Sequence, residues 1–423
     1  MWQKLVQIWK IKDLRNSIVF VLAMLAVFRL AAHIPIPGIN IENLREFFSS
    51  NDILGLMNIF SGGGMQNFSI VMMGVAPYIT ASIIFQLLAM IIPKLEEMNK
   101  EEAGRQKINQ YTRIATIPMA LLQAYGMIRI LSTSPQPIIE DLNPFRFVAM
   151  LITITAGTMF LVWIGELISE KKIGNGISLL IFAGIIASIP TALQQVVINF
   201  DRSQLITLVV FVAIAVVTIV GVVIITEGQR KIPVSYARRV RGMKMYGGTS
   251  THLPLRVNQA GVIPIIFAIS IILFPPMVAQ FFVNAQTAFI ARLAQFVIDV
   301  FQNQWFYGIM YFVLVFGFTY FYTAVIFHPG QIAENLQKQG GFIPGIRPGQ
   351  HTEQYLNNTI KRITFLGALF LGVIAILPLV MQQATGMTSL VIGGTSLLIV
   401  VSVVIETVKQ IEAQMVMRDY DGF

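Results

Sequence analysis

The chain has 423 residues, 55% of them hydrophobic and only 12% charged, and a formal net charge of +9. A soluble domain covers its core with about 25% charged residues; this chain lacks that polar surface, which excludes a soluble globule and makes lipid its main solvent. It has no cysteine, which excludes a disulfide framework, thiol catalysis and a thiolate metal site.

A membrane span needs about 20 mainly apolar residues. Ten stretches qualify, over roughly 18–35, 68–92, 112–131, 147–166, 173–195, 204–226, 258–280, 305–327, 362–380 and 388–408. The expected fold is therefore an all-α polytopic membrane protein with ten transmembrane helices. Lys4, Lys10, Lys12 and Arg15 precede the first stretch as in a signal peptide, but no small-residue cleavage motif follows, so it reads as a retained span. Segment 36–67 then holds an apolar run, Leu54 to Phe60, too short to span and followed by Gly62, Gly63 and Gly64. Such a run fits either a helix on the outer leaflet or a re-entrant, plug-like element, which is tolerated at membrane depth only when buried in protein.

In the second stretch Val75, Ile79 and Ile83 share one face at four-residue spacing. Ser82 and Gln86 form a polar stripe that has to face another helix or water. The eighth stretch opens with aromatics (Trp305, Phe306, Tyr307) of the kind that sit at a membrane interface. The last two share a charge-free run from Ile363 to Ile405, divided at Gln382 to Gly386. Pro77, Pro118, Pro190, Pro264, Pro275, Pro276 and Pro378 lie within the stretches, where proline kinks or breaks a helix.

Basic residues of membrane proteins concentrate in cytoplasmic connections. With the N-terminus inside, 24 of the 30 Lys and Arg fall inside and 5 outside, with Arg29 in the first span. Both termini are thus expected in the cytoplasm, as are two long connections, about 228–257 (basic) and 328–360 (rich in Gly and Pro). The spans divide into halves of five, 1–197 and 198–423, and an odd number per half makes the halves inverted.

Chemistry-bearing constellations are scarce. Glu166 and Glu406 sit at span ends without a partner at helical spacing, and Arg29 lies near enough to an interface to snorkel. His33, His252, His328 and His351 are scattered and form no metal-spaced pair. No phosphate-cradling loop and no nucleophile with its base is legible. Neither an enzyme nor a metal or cofactor site is therefore expected, and any energy source is external. A secondary transporter, the rival class, needs intramembrane charge for coupling, and that is scarce here.

Six strings then narrow the reading: His33 to Gly38, Pro77 to Leu88, Ile173 to Ser178, Ala260 to Pro264, Gly341 to Gly349 and Gly393 to Ile399. Their order and composition closely resemble the bacterial SecY family, the protein-conducting channel of the general secretion system. The resemblance implies two five-helix halves around a central pore, hinged between spans five and six. It implies an aliphatic pore ring of Val75, Ile79, Ile181, Ile185, Ile266 and Ile399, with Val75 standing where isoleucine is frequent. It implies a plug over about 55–66, including Leu56, Met57, Ile59, Phe60, Gly62, Gly63 and Gly64, and a lateral gate lined by Thr80, Ser82, Ile83 and Gln86. Docking of the SecA motor ATPase or of the ribosome is implied at Arg238, Arg239, Arg241, Lys244 and Arg347. The implied partners are the small membrane subunits SecE and SecG, signal sequences, unfolded preproteins and membrane lipid. The implied location is the bacterial plasma membrane.

Overall fold

A backbone dissolved in lipid has to satisfy its own hydrogen bonds, and helices do so within one segment. The computed structural model describes residues 9–50, 61, 63–132, 138–139, 143–198, 205–236, 239–241, 244–246, 250–283, 287–385 and 394–421. Over the first half run α1 (Lys12–Ala31), α2 (Ile41–Ser50), α3 (Ala76–Ile91), α4 (Pro93–Lys100), α5 (Glu102–Ser132), α6 (Pro144–Glu170) and α7 (Gly176–Ile198). After α8 (Leu205–Glu227) come four strands: β1 (Gln229–Tyr236), β2 (Arg239–Arg241), β3 (Lys244–Tyr246) and β4 (Ser250–Arg256). Then follow α9 (Ile263–Phe282), α10 (Ala288–Gln302), α11 (Gln304–Ile326), α12 (Pro329–Lys338), β5 (Gly341–Phe342), α13 (Gln350–Thr385) and α14 (Gly394–Asp421).

Each of the ten apolar stretches contains a described helix. Among the described residues six helices are long and apolar enough to cross a membrane, or seven if α3 and α4 count as one bent span. Shorter apolar helices run through Gly176–Thr191 and Ile263–Ala279. The bend between α3 and α4 is 111°. It falls where Ile92 turns extended before Pro93, the conformation proline imposes on its predecessor.

Three expectations need correction. The second apolar stretch is not helical from residue 68: 63–75 is a run of turns, and α3 starts at Ala76. Pro77 and Pro264 stand in the first turns of α3 and α9, where the missing N–H costs nothing. They start helices instead of kinking them, whereas Pro118, Pro190, Pro275, Pro276 and Pro378 do lie inside helices.

The fold is also not purely α. β1 pairs antiparallel with β4 and with β5 in a three-stranded sheet, while β2 and β3 form a separate hairpin. In β1, Ile232 and Val234 are buried and alternate with exposed neighbours, the period of a half-buried strand. They pack with Leu255, Ile343, Leu356, Ile360 and Ile363 in a small core of their own. The two long connections are thus one body, because β5 from the second pairs with β1 from the first.

The main core joins side chains of α1, α3, α6, α7, α9, α11, α13 and α14. A second core gathers α2, the 63–75 turns, α5 and α6. Four buried threonines satisfy their hydroxyls within their own helices. Thr112 and Thr116 donate to the carbonyls of Ile108 and Thr112 at 2.9 and 2.8 Å, and Thr319 and Thr323 do the same on α11 at 2.7 Å. Such self-satisfaction lets a polar side chain sit inside a membrane bundle.

Candidate functional site

The turn segment 63–75 is held from two sides. Ile36 N–H donates to the Phe68 carbonyl at 2.9 Å, and Ile70 N–H to the Ile34 carbonyl at 3.1 Å. The string His33 to Gly38 therefore works as a short pairing edge, bridged at Pro35 and Ser69. Phe68 takes a left-handed φ of 42° with its ring fully buried, a conformation that surrounding structure has to enforce. Gly63 has φ +81°, and a Cβ on Gly64 would meet Ser69 Oγ at 3.0 Å, so the glycines permit the tight return. On the other side α6 comes so close that a Cβ on Gly157 would overlap the Ile70 carbonyl.

Met65, Met72 and Met73 project from these turns into the second core beside Met127 and Met150. Methionine fills irregular space and repacks readily. Ser61 and Met65 are buried inside the protein. Leu56, Met57, Ile59, Phe60 and Gly62 lie outside the described residues.

The six ring residues come together. Val75 caps α3, Ile79 follows one turn on, Ile181 and Ile185 come from α7, Ile266 from α9 and Ile399 from α14; all are buried in the same core. Val75, Ile79, Ile181 and Ile266 line a cavity of about 70 Å³, with Ser61, Met65 and Met73 also on its wall. Its lining is mostly apolar, with Ser61, Thr80, Gln123 and Ser270 as its polar side chains.

The gate residues lie along α3, which packs against α5, and α9 packs against both. Thr80 lines the cavity and accepts a hydrogen bond at 3.3 Å from Gln123 Nε2 of α5. Gln86 donates to Ser82 on its own helix at 3.1 Å. The Gln86 carbonyl oxygen is buried without a hydrogen-bond partner. The polar stripe is thus closed mostly upon itself, and Ile83 is buried in the core beside it. Gln123, Ser270, Phe274 and Met277 were not legible as site residues, yet all four line the cavity. Only Gln123 carried a signal, an amide in the middle of an apolar stretch.

Glu166 has a partner that helical spacing could not reveal. Arg113 Nε of α5 meets its carboxylate at 3.1 Å. On the body formed by the two long connections, Arg347 is exposed in the turn before α13, and Thr352 Oγ1 donates to its carbonyl at 3.1 Å. Arg239, Arg241 and Lys244 belong to the β2–β3 hairpin, while Arg238 is outside the described residues. On α12 the hydrogen bond from Lys338 holds the Glu334 carboxyl below the usual carboxylate range.

A family model described as SecY matches residues 69–408. The protein translocase subunit SecY of Thermotoga maritima is 44% identical over 100% of this chain and 98% of its own length. That of Halalkalibacterium halodurans is 45% identical over 100% of both. Among solved structures, a protein-conducting channel superposes with a TM-score of 0.60 at 17% identity, covering 93% of this chain and 91% of its own. Sec61 in a canine ribosome–channel complex from the endoplasmic reticulum superposes at 0.59 with 16% identity and the same coverage. These two establish likeness of fold. The full-length identity to the bacterial subunits and the match over most of the chain establish more: this protein belongs to the SecY family.

Proposed function

We propose that this chain is the pore-forming subunit of a bacterial plasma-membrane channel that passes unfolded secretory polypeptides outward and releases apolar segments sideways into lipid. Family membership makes it a multi-pass, non-enzymatic component of a protein-translocating channel. The finer reading has ten spans in two inverted halves, 1–197 and 198–423, with both termini in the cytoplasm. Its support is the described helix in each apolar stretch and the charge segregation between connections.

The observation that carries the reading is the convergence of Val75, Ile79, Ile181, Ile185, Ile266 and Ile399 from four helices of both halves into one dry core. Branched apolar side chains oppose ion passage when closed and can part around a chain without breaking hydrogen bonds. The segment of about 55–66 is the plug in this reading, and its anchor at Gly63 to Met73 is packed on methionines. In a related structure the plug domain of SecY stabilises the closed state and maintains a membrane seal. The seam between α3 and α5 on one side and α9 and α11 on the other is the lateral exit. Thr80, Ser82, Ile83 and Gln86 offer an amphipathic lining there.

Energy comes from outside the chain, from a SecA-type motor or a translating ribosome at the cytoplasmic body. Arg239, Arg241, Lys244 and Arg347 supply positive charge for acidic motor surfaces or ribosomal RNA phosphates. SecE and SecG are the expected membrane partners. The test of the ring is Ile266→Asn and Ile399→Asn in reconstituted bilayers. Each variant is expected to raise resting ion conductance and to pass precursors with defective signal sequences. Wild-type conductance together with wild-type stringency would remove these residues from the constriction.

A further inference from the structure

The external connection before α11 contains an element that the channel reading leaves unused. α10 (Ala288–Gln302) is amphipathic in three sectors rather than two. One sector packs on the protein. Ala294 is buried, Phe301 joins the main core, and the helix contacts both α9 and α11. A second sector is polar. Arg292, Gln295 and Asp299 are exposed, and Gln295 Nε2 donates to Asp299 at 3.1 Å. The third is apolar and faces away from the protein: Phe289, Leu293 and Phe296, at i, i+4 and i+7, are 72%, 52% and 67% exposed.

The joint to α11 fixes where that third sector points. Only Asn303 separates the two helices, and its side chain caps α11 by accepting from the N–H groups of Trp305 and Phe306 at 3.0 and 3.4 Å. The Phe301 and Phe306 rings meet edge to face at 5.4 Å across the bend. Just beyond it α11 presents Trp305, Ile309 and Val313 outward, all strongly exposed. That is the lipid-facing surface of a span, with an aromatic at the depth where Trp anchors in a bilayer. The exposed stripe of α10 precedes it across the single residue Asn303.

We infer that α10 lies in the outer-leaflet interface, with Phe289, Leu293 and Phe296 among phospholipid acyl chains and Arg292, Gln295 and Asp299 at the headgroups. A helix with an apolar stripe beside a charged face partitions to this depth. Because α10 is clamped to α9 and α11, it couples the outer ends of two helices of the proposed exit seam to the lipid surface. The inference rests on the proposed topology for the choice of leaflet, not for the depth.

The chain has no cysteine, so single spin labels report one site each. Phe289→Cys, Leu293→Cys, Phe296→Cys, Arg292→Cys, Gln295→Cys and Asp299→Cys would be labelled with a nitroxide in phosphatidylethanolamine–phosphatidylglycerol vesicles. Collision with oxygen and with a water-soluble nickel chelate would be compared. The first three labels are expected to favour oxygen and the last three the chelate. Chelate access at all six would overturn the inference, since α10 would then stand in water. Shielding of 289, 293 and 296 from both reagents would overturn it too, by showing a protein partner on the stripe. An impermeant maleimide tests the leaflet separately: Gln295→Cys is expected to react from the outer side of oriented vesicles. Reaction from the inner side alone would overturn the outer-leaflet assignment and the topology while leaving the measured depth intact.

Discussion

A Cβ at Gly157 would overlap the Ile70 carbonyl, so α6 reaches the turn segment only because this side chain is a hydrogen. Gly157→Ala is expected to destabilise the protein by about 1–3 kcal/mol, the usual cost of overpacking, read as a lower midpoint of thermal unfolding in detergent. The effect would also loosen the seat of Met65, Met72 and Met73, whose core lies against α6. At this scale the sequence was readable wherever a helical period carried the signal. Val75, Ile79 and Ile83 share a face at four-residue spacing, and all three are buried in the main core. It was mute where two remote residues meet. Arg113 and Glu166, or Thr80 and Gln123, are paired by helix packing, which no local period encodes.

Among elements, the long apolar stretches were legible because a lipid solvent leaves a signal of some twenty residues. The strands were not. Ile232 and Val234 alternate in a segment too short and too basic to stand out, and β1 finds β5 more than a hundred residues away. α10 was missed for the same reason, being too short to span. The sheet predicts its own test. Ile232 is buried against Leu356 and Ile360 of α13, so Ile232→Ala is expected to cost about 2–5 kcal/mol locally. Limited proteolysis from the cytoplasmic side would then cleave between 237 and 250 faster than in the unaltered protein, with the spans intact. Equal cleavage rates would mean that the sheet does not hold that connection.

At the scale of the molecule, α14 reaches back to the first part of the chain. Gln414 Nε2 of α14 donates to the Lys172 carbonyl in the turn between α6 and α7 at 2.6 Å. In the proposed exit seam α9 meets α3 and α5, and Gln123 of α5 and Ser270 of α9 line one cavity. In a chain without cysteine, Gln123→Cys with Ser270→Cys can be joined by a short reducible dithiol-reactive linker. Joining is expected to abolish export, and reduction to restore it. Export by the joined form would place the exit elsewhere. That helices remote in sequence close a mostly apolar cavity follows from packing that hydropathy does not report.

The central claim is that the chain conducts polypeptides under external drive, and export into vesicles tests it most directly. The protein would be reconstituted with SecE, supplied with SecA, ATP and a secretory precursor, and treated with protease. The account predicts a protected precursor that requires ATP and disappears in Arg347→Glu, a variant at an exposed turn whose channel still inserts and folds. No protection with the motor, and none with translating ribosomes, from a correctly folded channel would contradict it.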